Sequence, residues 1–167
     1  IKPLAKICDS DDKGIFVLVK TSNPSSGELQ DMKLETNESV YEHMGKMCEG
    51  WGEDLMGKHG YSAVGAVVGA TYPEQLGEMR AKLPHTFFLV PGYGAQGGGA
   101  DDVKNAFDEN GLGAIINSSR GIMCAWKKQG LTEDDFAAET RHSISMLIFN
   151  SLYTNLSLIH ISEPTRR

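Results

Sequence analysis

Thr86-Phe87-Phe88-Leu89-Val90-Pro91-Gly92-Tyr93-Gly94-Ala95-Gln96-Gly97-Gly98-Gly99 joins a short aromatic and β-branched run to a glycine-rich tail. The run, Thr86 to Val90, reads as a strand buried on both faces, and the tail from Pro91 to Gly99 reads as a loop. A short helix with acidic residues at its positive end is expected from Asp101 to Phe107. The same unit recurs on both sides. Upstream, Ile15-Phe16-Val17-Leu18-Val19 is a strand that leads into the loop Thr21-Ser22-Asn23-Pro24. Val40, Met44, Met47, Cys48, Trp51 and Leu55 then fall at helical spacing behind the polar, capping Thr36-Asn37-Glu38-Ser39. A strand from Ala63 to Gly69 follows, and Pro73 sits in the first turn of a helix that runs through Leu76 and Met79 toward Leu83.

Downstream, Gly113-Ala114-Ile115-Ile116-Asn117 is the fourth strand and ends in Ser118-Ser119-Arg120-Gly121. A last helix starts at Thr132, with Asp135 placed for a capping box, and carries Phe136, Ile144, Leu147, Ile148 and Leu152 on one stripe. Strict alternation of strands and helices implies a parallel sheet, because each parallel connection needs a crossover that covers a face. About four such units amount to roughly half of a complete eight-stranded barrel. A doubly wound open sheet satisfies the same periodicity.

Composition narrows the partners. The chain has 167 residues, 40% of them apolar, and a formal charge of -6, with no basic stripe to attract nucleic acid. Cys8, Cys48 and Cys124 are widely spaced, form no Cys-x-x-Cys pair and have no histidine at ligand spacing, so reduced thiols and no metal are expected. No apolar run approaches the length needed to cross a bilayer. His43, His59, His85 and His142 are scattered and read as surface or packing residues.

In both architectures the site lies at the carboxyl ends of the strands. Glycines there let the backbone approach a ligand, and the amide of Gln96 can donate to an anionic oxygen. Gly92, Gly94 and Gly97 also satisfy Gly-x-Gly-x-x-Gly, but the next strand ends in Asn117-Ser118-Ser119-Arg120 rather than in the acid that would hold a ribose. Arg120 is the natural partner of Gln96. In a parallel barrel the loops after the seventh and eighth strands commonly form a phosphate site, and a planar guanidinium suits phosphate oxygens.

Val67-Val68-Gly69-Ala70-Thr71-Tyr72-Pro73-Glu74, then Phe88 to Gly98, then Ile115 to Ile122 resemble the last three strand ends of orotidine 5′-phosphate decarboxylase of the longer bacterial type. Phe16-Val17-Leu18-Val19-Lys20-Thr21-Ser22-Asn23-Pro24 resembles that type's fifth strand, and the similarity covers nearly all of residues 1–150. The resemblance implies the carboxyl-terminal half of a (β/α)8 TIM barrel that converts orotidine monophosphate to uridine monophosphate and carbon dioxide, without cofactor or metal. It implies that Gln96 and Arg120 grip the substrate phosphate and that Ser119 adds its main chain. Pro91 and Tyr93 would line the base side, and Ser22 or Asn23 would border the pyrimidine. Tyr93 departs from the smaller aliphatic residue usual in the family. The family's catalytic Asp-x-Lys-x-x-Asp pattern does not occur in this sequence, so no catalytic residue is assigned and the isolated chain is expected to be inactive.

The resemblance further implies a cytoplasmic enzyme that is a homodimer at full length and binds a nucleotide rather than nucleic acid or membrane. Another phosphosugar-binding barrel enzyme and a non-catalytic phosphate-ligand module are the alternatives. Ile1 to Cys8 reads as a helix already under way, so a preceding segment is expected. Residues 156–167 resemble the translation of a sequencing-library adapter, which leaves residues 1–155 as the partial barrel and strands five to eight as its content.

Overall fold

The computed structural model of the chain describes residues 1–94 and 97–155, with Asp9, Lys128 and residues 147–155 given as backbone alone. Two compact units are present, Ile1–Ser118 and Ser119–Arg167. The first contains four strands: β1 (Ile15–Lys20), β2 (Val64–Val68), β3 (Phe88–Pro91) and β4 (Ala114–Asn117). They form one parallel sheet in the order β1-β2-β3-β4. A doubly wound sheet reverses its strand order at a switch point. The monotonic order here has no reversal and is that of one arc of a barrel.

Among the described residues five α-helices belong to this unit: α1 (Lys2–Ser10), α2 (Gly27–Gln30), α3 (Val40–Gly52), α4 (Pro73–Lys82) and α5 (Ala100–Val103). Ser39 caps α3 through a capping box. Its N–H donates to Glu42 Oε2 at 2.8 Å, and its Oγ accepts from the Glu42 N–H at 3.4 Å. Lys82 reaches across from α4 to the same carboxylate at 2.5 Å. These bonds, led by that from Lys82 and followed by those from Ser39, lower the Glu42 pKa to about 2.

Register assigns the two faces of the sheet. Val64, Ala66, Val68, Phe88 and Val90 are buried and form one core with Tyr41 and Cys48 of α3 and Leu76 and Met79 of α4. Burial pushes the Cys48 thiol up to about 12, so it packs as a small hydrophobe. The opposite face carries Phe16, Leu18 and Ile115, exposed by 48%, 59% and 54%. Met44 is half-buried against the core, whereas Met47, expected on the same stripe, is exposed. The helix expected over 101–107 divides into α5 and a 3-10 turn, Lys104–Ala106.

The second unit contains α6 (Ser119–Met123), α7 (Ala125–Lys128) and α8 (Phe136–Asn155). Asp135 Oδ2 accepts from the Thr132 N–H at 3.1 Å and from its hydroxyl at 3.0 Å, which is the capping contact expected before the last helix. Phe136 and Ile144, expected on one stripe of that helix, are exposed. Leu147, Ile148 and Leu152 of that stripe have side chains outside the described residues.

Candidate functional site

The loops that leave the carboxyl ends of β1, β2 and β3 are held together by main-chain contacts. The Gly69 N–H donates to the Lys20 carbonyl and the Ala70 N–H to the Pro91 carbonyl, both at 2.8 Å. A methyl on Gly69 would lie 2.8 Å from the Ser22 nitrogen and 2.9 Å from its Cα, so only glycine lets the two backbones approach. The Thr71 hydroxyl donates to the Ser22 carbonyl at 3.0 Å. Ser22 is half-buried, and Asn23 is exposed and donates from Nδ2 to Ser25 Oγ at 2.8 Å. The structure therefore places Ser22 beside the β2 strand end, with the exposed Asn23 next along the loop.

Pro91 shares the face of Leu89, opposite the helices, and is half-buried. The loop beyond it curls back on itself. The Gly94 N–H donates to the Gly98 carbonyl at 2.7 Å and the Gly98 N–H to the Gly92 carbonyl at 3.3 Å. Gly92, Gly94 and Gly97 have φ of 100°, 75° and 100°, a region that side chains with a Cβ rarely enter. Ser118 Oγ fixes the loop to β4 by donating to the Tyr93 carbonyl at 3.0 Å. The Tyr93 ring packs against the core, which accounts for an aromatic residue at this position. Gln96 lies outside the described residues. Asp102 Oδ2 accepts from the Gly99 N–H at 2.7 Å and so ends the loop at the start of α5.

Ser119 and Arg120 open the second unit. Both are exposed, and the Arg120 carbonyl accepts from the Cys124 N–H at 3.1 Å just past the end of α6. Among the described residues no group of His, Cys, Asp and Glu is arranged to hold a metal. No described helix is long and apolar enough to cross a membrane. A cleft of about 390 Å³ lined by Glu49, Gly50, Glu53, Met56 and His85 lies toward the amino-terminal end of β3, away from these loops.

Sequence reasoning missed Lys20. Simple alternation puts it on the open face with Phe16 and Leu18, but the pairing with β2 slips by one residue between Leu18 and Lys20, so Lys20 lies opposite Val68. Its side chain is fully buried. Lys20 Nζ donates to Asp31 Oδ1 at 2.6 Å and lies 4.7 Å from the Tyr72 ring centroid and 5.3 Å from that of Tyr41. The signal for this was nonlocal: an acid eleven positions later and two tyrosines on other elements.

Fold and strand-end loops together define one arc of a parallel β/α barrel, its polar and glycine-rich segments gathered at the carboxyl ends of the strands. Residues 1–130 match the sequence profile of the Orotidine 5'-phosphate decarboxylase / HUMPS family, and the chain belongs to that family. A curated Orotidine 5'-phosphate decarboxylase from Rhodopirellula baltica is 50% identical over 129 residues, which are 77% of this chain and 42% of that protein. One from Clostridium tetani is 42% identical over 144 residues, 86% of this chain and 49% of that protein. The chain thus spans less than half the length of these relatives. The solved structure of Leishmania donovani OMP decarboxylase superposes with a TM-score of 0.63 at 31% identity, over 89% of this chain and 52% of that one. The arc is therefore half of a (β/α)8 barrel of this family's type.

Proposed function

We propose that this chain supplies the phosphate-gripping half of an orotidine 5′-phosphate decarboxylase, a cytoplasmic carbon–carbon lyase of pyrimidine biosynthesis that is a homodimer at full length. Residues 1–155 correspond to strands five to eight with their helices, and residues 156–167 have the sequence of an adapter translation. The Arg120 guanidinium and the Gln96 amide bind the phosphate of orotidine monophosphate, with a main-chain N–H from Ser119. Pro91 and Tyr93 line the base side, and Ser22 or Asn23 borders the pyrimidine. No metal or organic cofactor takes part.

Decarboxylation develops carbanion character on the pyrimidine, and a lysine among carboxylates supplies the positive charge and the proton. That constellation, Asp-x-Lys-x-x-Asp, is absent from these 167 residues. The task of this half is to bind. Interactions with a remote phosphate hold the substrate and can be used to stabilise the transition state at the reacting carbon. The observation that carries this reading is the mutual fastening of the β1, β2 and β3 loops, Ser22 against Gly69 and Ala70 to Pro91, in a chain of which 129 residues align at 50% identity with a named decarboxylase.

Titration of uridine monophosphate into the chain tests it. Binding is expected, and Arg120→Ala should weaken it by about tenfold to a hundredfold, the value of a charge-assisted phosphate contact. Equal affinity in the variant contradicts the assignment. The chain alone should release no carbon dioxide from orotidine monophosphate, and turnover would show that the catalytic groups lie within it.

A further inference from the structure

Lys20 has no part in the reading above, yet it is the largest fully buried side chain in the described structure and it carries a charge. Burying an ammonium is unfavourable unless it is paired, and an apolar pair would close the same space at no such cost. The register slip in β1 that turns Lys20 to the helix side sits directly before Thr21-Ser22-Asn23. Its ion pair with Asp31 joins the first and last residues of the segment 20–31. Just inside that pair, the Thr21 N–H and hydroxyl both reach Gln30 Oε1, at 3.0 and 3.3 Å. Two successive clasps therefore close the base of a loop whose leading residues are Ser22 and Asn23. The rings of Tyr41 at the start of α3 and Tyr72 before α4 flank the ammonium, so the clasp is seated on both neighbouring helices. The carbonyl of Lys20 also accepts from Gly69, which ties the clasp to the β2 strand end.

We propose that Lys20 is a positioning residue which, through Asp31, holds Ser22 and Asn23 in register with the base of a bound nucleotide and so sets the preference for a nucleotide over a bare sugar phosphate. The inference rests on the nucleotide-binding reading above. Lys20 touches no ligand. Its effect is confined to the base side, because the phosphate contacts proposed for Gln96 and Arg120 arise on other loops.

The test compares uridine monophosphate with ribose 5-phosphate by calorimetric titration of the full chain. Lys20→Met keeps the aliphatic volume and leaves Asp31, 40% exposed, able to meet water. Wild type should prefer the nucleotide. Lys20→Met should weaken uridine monophosphate by about tenfold while ribose 5-phosphate changes by less than about twofold, the signature of one lost base-side hydrogen bond. Asp31→Asn, which keeps the lysine and removes the opposite charge, should shift the same ratio in the same direction by a smaller factor. It also carries the test should the methionine variant fail to fold. Equal weakening of both ligands, or an unchanged ratio in a folded variant, overturns the proposal and leaves Lys20 a structural staple. Wild type that binds neither ligand, or binds both equally, removes the nucleotide reading itself and the proposal with it.

Discussion

Replacing Arg80 with methionine isolates what joins β3 to β4 at their amino-terminal ends. The guanidinium is buried in α4, donates to the carbonyls of Gly113 at 3.2 Å, Thr86 at 3.0 Å and Leu83, and stacks 4.2 Å from the Phe88 ring. Loss of these bonds is not uniform. The Gly113 carbonyl keeps the Phe88 N–H at 2.8 Å and the Leu83 carbonyl keeps the Thr86 N–H at 3.3 Å, whereas Arg80 is the donor described for the Thr86 carbonyl. One orphaned carbonyl costs about 1–3 kcal/mol, and the lost ring contact adds about 1 kcal/mol. Against this, methionine recovers the desolvation penalty that pushes the Arg80 pKa below its ordinary value. The net expectation is a loss of about 2–3 kcal/mol, or roughly 1–2 M in urea midpoint for a small domain. Urea unfolding in a Trp126→Phe background lets Trp51, which packs on the core of the first unit, report alone. A change below about 0.5 kcal/mol, within the range of ordinary surface substitutions, refutes the reasoning.

Stability should fall with acid through Glu42. Its folded pKa of about 2 lies below the ordinary 4.5, so its contribution is complete above pH 4.5 and disappears as pH drops toward 2. Thermal melts of Glu42→Ala should lie below wild type by about 1 kcal/mol at neutral pH and converge on it near pH 2; a gap that persists in acid counts against this role. Gly69→Ala drives a methyl into the Ser22 backbone at 2.8 Å and should cost about 1–3 kcal/mol and weaken uridine monophosphate as well. Unchanged melting and binding in that variant would show that the two loops can separate freely.

All four strands were legible because each is a short apolar, β-branched run followed by glycine or polar turn residues, a local signal. Capping at Ser39 and Thr132 was legible for the same reason, since each box spans only three residues. Boundaries moved where tertiary bonds intervened. Thr86 reads as strand, yet its hydroxyl goes to Glu49 Oε2 at 2.5 Å and its carbonyl to Arg80, and β3 begins at Phe88. Met47 kept helical spacing with Met44 but emerged on the outer surface of α3, because spacing alone does not fix how wide the buried stripe is. Pro91, Tyr93, Ser22 and Asn23 were named as pocket candidates from the resemblance of the segments that carry them. Lys20 was not, since its burial depends on a slip in strand pairing and on partners eleven, twenty-one and fifty-two residues away, Asp31, Tyr41 and Tyr72.

A crystal structure of the chain grown with uridine monophosphate would locate the phosphate outright. The nucleotide phosphate is expected at the carboxyl ends of β3 and β4, with the Arg120 guanidinium and the Gln96 amide each about 3 Å from its oxygens. A phosphate seated elsewhere, or those two side chains directed away from it, contradicts the account.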